Sequence, residues 1–175
     1  MEFIRALAVY PSMRSIGFAV LEEPDELIDW GVRTTRRDKN NRGVLLVNDL
    51  INRYKPDILI VEDWGAKGFR RSLRTQALMQ DLVRFASRRK IKTRTISRHT
   101  VRKTFTRFDA LTKYQIARVI ATNFPELAPQ MPPIRKPWMK EDYKMCIFDS
   151  VALSLTFFNA IHKTECKRKD AGLTS

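Results

Sequence analysis

Residues 58–63 read Ile-Leu-Ile-Val-Glu-Asp, four branched apolar side chains followed at once by two acids. Four consecutive apolar residues leave a strand no polar side, so both of its faces must be covered. The run follows Pro56, which closes a helical pattern at 44–55 built on Val44, Leu45, Val47, Leu50, Ile51 and Tyr54. A glycine-containing loop at 64–68 follows it. A doubly covered strand reached through a helix is how parallel pairs are connected, and this restricts the chain to α/β architectures.

The rest of the pattern agrees. Phe3–Tyr10, Ile16–Leu21 and Leu27–Val32 read as three short strands separated by turns at Pro11-Ser12 and Glu23-Pro24-Asp25, an antiparallel meander. The stretch 39–43 reads as a loop. Ser72–Ser87 reads as a helix with Leu73, Ala77, Leu78, Leu82 and Phe85 on one side. Ile91–Ile96 reads as a short basic strand, His99–Phe105 as one or two helical turns, and Lys113–Asn123 as a helix. A proline-rich irregular stretch precedes a long apolar helix at Tyr143–His162, and a polar, frayed tail is expected at 163–175. This order predicts one domain over 1–162, a mixed five-stranded sheet with helices on both faces, and a basic tail at 163–175.

Charge narrows the function. The 175 residues hold 33 Lys+Arg and 19 Asp+Glu, a formal net charge of +14. It is concentrated: 66–107 has fourteen basic residues and a single acid, Asp81. A basic block of this density marks a polyanion partner, foremost a nucleic acid. No apolar run reaches the ~18 residues of a membrane span, and no secretory signal opens the chain. Two cysteines, Cys146 and Cys166, do not make a disulfide framework, and the expectation is an intracellular, non-secreted protein with no membrane partner.

The acids single out a site. Ligands of open α/β sheets collect outside the carboxyl ends of the strands, where Glu62 and Asp63 fall. Asp149 lies inside the apolar final helix and must reach its surface, pair with a basic side chain or bind a cation. The loop 64–71, Trp-Gly-Ala-Lys-Gly-Phe-Arg-Arg, offers cations for phosphates and two aromatics for stacking on an unpaired base. Lys67, Phe69, Arg70, Arg71, Arg74, Arg98, Arg102 and Lys103 are the candidate nucleic-acid-binding residues. Trp64 and Phe69 can equally serve to pack the loop on the domain.

The element order, Glu62 closing the fourth strand, and Asp149-Ser150-Val151-Ala152-Leu153 resemble the RuvC-type Holliday-junction resolvases of the ribonuclease H-like fold. Leu7–Ser12 through Gly17, Val101-Arg102-Lys103 through Lys113–Ala117, and Asn123–Leu127 add to the resemblance, which spans residues 3–160. It implies two-metal phosphodiester hydrolysis, with Mg²⁺ or Mn²⁺ held by hard oxygen ligands. Carried over by position, Glu62 matches the strand-four Glu and Asp149 the final-helix Asp. Tyr10 stands where the strand-one Asp belongs, and Cys146 where a helix acid or His belongs. A phenol of pKa ~10 is no anion at neutral pH, and a thiol is a soft ligand for Mg²⁺. Asp63, or Asp142 two turns before Asp149 on the same helix face, is the remaining source of a third ligand. The resemblance also implies Phe69 as a wedge at a junction centre and pairing of two copies through apolar helices.

The expected function is therefore recognition of branched DNA or structured RNA through a basic surface, with nuclease activity weak or lost. Two alternatives stand beside it: an active metal-dependent endonuclease using Glu62 and Asp149, and a structural RNA-binding subunit of a ribonucleoprotein.

Overall fold

The computed structural model of the chain describes residues 3–34 and 39–172. Its centre is a five-stranded sheet in the order β3-β2-β1-β4-β5. The strands are β1 (Arg5–Pro11), β2 (Ser15–Glu22), β3 (Glu26–Thr34), β4 (Ile58–Glu62) and β5 (Lys92–Ile96). The meander β1–β2–β3 is antiparallel, while β4 joins β1, and β5 joins β4, in parallel. The expected mixed sheet is present, and every residue of Ile58–Val61 is at most 9% exposed.

Alternation along the strands divides the core in two. Leu7, Val9, Leu59 and Val61 face α1 (Lys39–Tyr54) and α2 (Leu73–Arg88). Ala6, Ala8, Tyr10, Ile58 and Ile60 face α4 (Lys113–Asn123) and α5 (Met145–Gly172). The short α3 (Arg98–Phe105) leads from β5 toward α4 and anchors Phe105 in the second core.

The small residues of β1 and β2 on that face let α5 lie close to the sheet. At Gly17 the approach is complete: a Cβ there would stand 2.4 Å from the Cβ and carbonyl of Cys146. Gly17 pairs with Tyr10 across the antiparallel ladder, so the helix is pressed onto the sheet beside the end of β1.

Four expectations need correction. The stretch 39–43 is helical and opens α1; its Gly43 fits closely against Leu78 and Ile16, where any Cβ would sit under 3 Å from their methyls. Leu73 is 83% exposed, and the buried side of α2 is Thr75, Leu78, Met79, Leu82 and Ala86. The last helix begins at Met145, not Tyr143, and runs to Gly172 rather than ending at His162, so no break in the helix marks residue 163; residues 173–175 of the expected tail lie outside the described residues. Finally, against the expectation that no apolar run reaches the length of a membrane span, Met145–Cys166 is long and apolar enough to cross one. Most of it is buried against the sheet and α4, as the central helix of a two-layered core.

Candidate functional site

Extending the β1–β4 register by two residues beyond Ala8 and Ile60 brings Tyr10 and Glu62 side by side at the carboxyl end of the parallel strands. Asp149 approaches them from α5. Glu62 is 7% exposed and Tyr10 6%. The expected positions are thus brought together, and so is the departure from the acidic pattern: the phenol of Tyr10 occupies the centre.

Two cations that the sequence reading did not place in the site complete it. Arg71 closes the loop after β4, immediately before Ser72, whose hydroxyl caps α2 by accepting from the Thr75 amide at 3.2 Å. Arg71 itself points into the site. Its Nε lies 2.8 Å from Glu62 Oε2, its guanidinium carbon 4.1 Å from the centroid of the Tyr10 ring, and it also donates to the carbonyl of Pro11. The approach to Glu62 is an ion pair without hydrogen-bond alignment, for Oε2 has no properly directed donor.

Lys113 is the first residue of α4, fixed by a capping box in which Thr112 and Gln115 bond each other's backbone. Its Nζ stands 2.9 Å from Asp149 Oδ2, 2.9 Å from Glu141 Oε1 and 3.4 Å from the Tyr10 hydroxyl. Of the fates open to a carboxylate in this helix, Asp149 has taken pairing with a basic side chain.

The protonation states follow. Burial pushes the Tyr10 phenol far above the ordinary tyrosine range, and Asp149 adds to this against Lys113 and Arg71. Tyr10 is therefore a neutral phenol at neutral pH. Burial alone would lower Lys113, but Asp149, Tyr10 and Glu141 together raise it well above the ordinary lysine range. The Asp149 carboxyl is raised by burial, with Lys113 opposing. Cys146 is buried and its Sγ lies 3.4 Å from the Ser15 hydroxyl; burial raises the thiol, serine hydroxyls opposing, so it stays protonated.

These donors do not fit a two-metal centre. Among the described residues no three His, Cys, Asp or Glu side chains converge. Asp63 turns its carboxylate onto the Gly65 amide at 2.9 Å. Asp142 lies ahead of α5, not on it, and accepts from the Lys144 amide at 2.8 Å. The two carboxylates that remain carry a cation each. A divalent ion 4 Å from Arg71 or Lys113 would be repelled by about 8 kcal/mol at an effective dielectric of 20. The cavity lined by Tyr10, Glu62, Lys113 and Asp149 measures about 30 Å³, on the scale of a water molecule.

Outside this filled centre a cleft of about 400 Å³ opens, with Glu62, Tyr10 and Arg71 at its base. Lys67, Phe69, Arg70, Arg98 and His99 form its walls. Among the described residues no carboxylate pairs with Lys67, Arg70 or Arg98. Trp64 packs against the α1–α2 core, whereas the partly exposed Phe69 lines the cleft. Arg102 lines the small central cavity. Arg74 and Lys103 are exposed on α2 and α3 but do not line the cleft.

In sequence, no protein-family model and no curated protein matches the chain. In structure, the mixed five-stranded α/β fold matches solved structures of proteins named as Holliday junction resolvases. Thermus thermophilus RuvC superposes with a TM-score of 0.67 at 14% identity, covering 92% of this chain and 98% of that one. The same protein in complex with a Holliday junction substrate gives 0.62 at 14% identity, covering 91% and 96%. The yeast mitochondrial Holliday junction resolvase Ydc2 gives 0.64 at 12% identity, covering 94% and 84%.

Proposed function

We propose that this protein binds branched or structured nucleic acid in the cleft beside Glu62 and does not cleave it by metal-dependent hydrolysis. The observation that carries the reading is the contrast across a few ångströms. Glu62 and Asp149 are neutralised by Arg71 and Lys113, while Lys67, Arg70 and Arg98 on the cleft walls have no acidic partner among the described residues. Phosphates bind where cations are unpaired, and metals bind where carboxylates are. Phe69 in the cleft wall supplies a ring for an unstacked base. The likeness in fold to proteins named as Holliday junction resolvases supports a branched substrate.

Fluorescence anisotropy on a four-way junction, a plain duplex and a single strand, in DNA and RNA versions, tests the binding. The expected result is sub-micromolar junction binding that falls steeply with salt. Weak, salt-independent binding to all of them would overturn it. A cleavage assay in Mg²⁺ and Mn²⁺ tests the second part: wild type, Glu62→Gln and Asp149→Asn are expected to share the same background. Cleavage by wild type that both variants lose would instead establish an active endonuclease.

A further inference from the structure

The segment between Met131 and Asp142 is not absorbed by the site described above. It has no helix or strand, yet it is held: the Met139 amide donates to the Lys136 carbonyl at 2.9 Å, and Arg135 Nε donates to the Met139 carbonyl at 2.7 Å. This turn carries Trp138 with 78% of its surface exposed. Ile134 beside it is 69% exposed, Leu111 across the groove 60%. Ordered backbone that lifts branched aliphatics and an indole into water, with the Lys136 ammonium 5.4 Å from the indole centroid, marks a contact surface.

Below the turn lies a groove of about 790 Å³, larger than the cleft over Glu62. Its floor is apolar, with Leu111, Tyr114, Ile134 and Met139. Its rim is basic, with Arg98, Arg102, Arg118 and Lys140, none of which pairs with a carboxylate among the described residues. The two acids at its edge are both engaged, Glu141 with Lys113 and Asp142 with the Lys144 amide. Arg98 and Lys113 line this groove and the cleft alike, so the two are continuous.

We infer that this groove holds an unpaired strand of nucleic acid leaving the cleft, its phosphates on the Arg98–Arg118–Lys140 rim and its bases against the apolar floor, with one base reaching Trp138, exposed on the turn beside the groove. The argument is one of complementarity. A duplex shows a partner its charged backbone and hides its bases, and would leave the apolar floor uncovered. A single strand presents phosphates and base faces together, and base stacking on aromatic rings is indifferent to sequence. The inference rests on the proposal that the cleft binds nucleic acid.

The experiment compares a four-way junction with the same junction bearing a single-stranded oligothymidine tail of about twelve nucleotides. Wild type is expected to bind the tailed substrate about tenfold more tightly. Trp138→Ala and the double variant Arg118→Glu/Lys140→Glu change solvent-facing positions, so both are expected to fold, keep junction affinity within about twofold, and lose the gain from the tail. Oligothymidine is also expected to quench a component of wild-type tryptophan emission that is absent in Trp138→Ala. Equal affinity for tailed and untailed junctions, or variants that weaken both alike, would overturn the groove while leaving the cleft in place. Failure of wild type to bind either substrate would overturn the cleft and the groove together.

Discussion

The ammonium of Lys113 lies 2.9 Å from the carboxylate of Asp149, joining the start of α4 to the second turn of α5 across 36 residues of chain. Both side chains are mostly buried, with 18% and 14% of their surfaces exposed. Removing one partner of such a pair leaves a charge in a low-dielectric setting, at a cost of about 3–5 kcal/mol for a fully buried pair. Partial exposure and the second carboxylate, Glu141, reduce this here. Lys113→Met is expected to destabilise by about 2–3 kcal/mol, and Asp149→Leu by a similar amount. The double variant is expected to lose much less than the sum, because neither charge is then stranded. Urea unfolding of the four proteins checks this; strict additivity would show that the pair is not coupled.

Alkaline pH acts on the same centre. Tyr10 and Lys113 both have folded-state pKa values above their ordinary ones. Below about pH 10 each is protonated in both states and its contribution is fully present. Above that, the unfolded chain releases protons that the folded one keeps, so stability falls as pH rises. Each group contributes a slope of about 1.4 kcal/mol per pH unit between its unfolded and folded pKa. Tyr10→Phe is expected to flatten the fall in stability above pH 10 relative to wild type, and Lys113→Met to flatten it by a similar amount. Ultraviolet titration offers a direct reading: of the four tyrosines in the chain, one is expected to ionise only when the protein unfolds.

The contact between Gly17 and Cys146 is a test of how α5 is seated. With a Cβ at position 17 forced to within 2.4 Å of the helix backbone, Gly17→Ala cannot be absorbed by rotating a side chain. Overpacking of this kind costs roughly 1–3 kcal/mol and sometimes more, and the upper end is expected because backbone must move. Thermal unfolding of Gly17→Ala and Gly17→Ala/Cys146→Gly measures it. The double variant removes the Cβ partner but not the carbonyl and is expected to recover only part of the loss.

The residues that were legible in the sequence are those whose placement follows from backbone periodicity. Glu62 is legible because the apolar run Ile58–Val61 ends in it at the carboxyl end of a buried strand, whereas Tyr10 and Cys146 stand out only through the family resemblance, which implies an acid or His at their positions. Arg71 and Lys113 were not legible. Arg71 belongs to a run of cations indistinguishable by spacing, and it is singled out by tertiary contacts with Glu62, the Pro11 carbonyl and the Tyr10 ring. Lys113 meets Asp149 because α4 packs on α5, a tertiary fact that no local pattern carries. The helical start of α1 was hidden for a similar reason: Asn40, Asn41 and Gly43 favour a loop locally, but Gly43 is packed against α2 and β2. Leu73 reads as core by its residue type and lies outside because its position falls off the buried stripe of Thr75, Leu78, Met79, Leu82 and Ala86.

The strongest test of the filled centre is to empty it. Tyr10→Asp/Cys146→Asp restores the number of acids that the resemblance implies, yet a carboxylate at position 10 would face Arg71 and Lys113, which already stand over the Tyr10 ring. The double variant is therefore expected to bind Mn²⁺ no better than wild type in isothermal titration calorimetry. Adding Arg71→Ala and Lys113→Ala removes both resident cations. The two introduced carboxylates then stand with Glu62 and Asp149 as uncompensated hard ligands, which repel one another until a divalent ion joins them. The quadruple variant is expected to be less stable than wild type without metal and to gain thermal stability on adding Mn²⁺, as binding to the native state requires. Metal binding by the double variant alone would show that Arg71 and Lys113 can move aside, and would reopen the case for hydrolysis at this site.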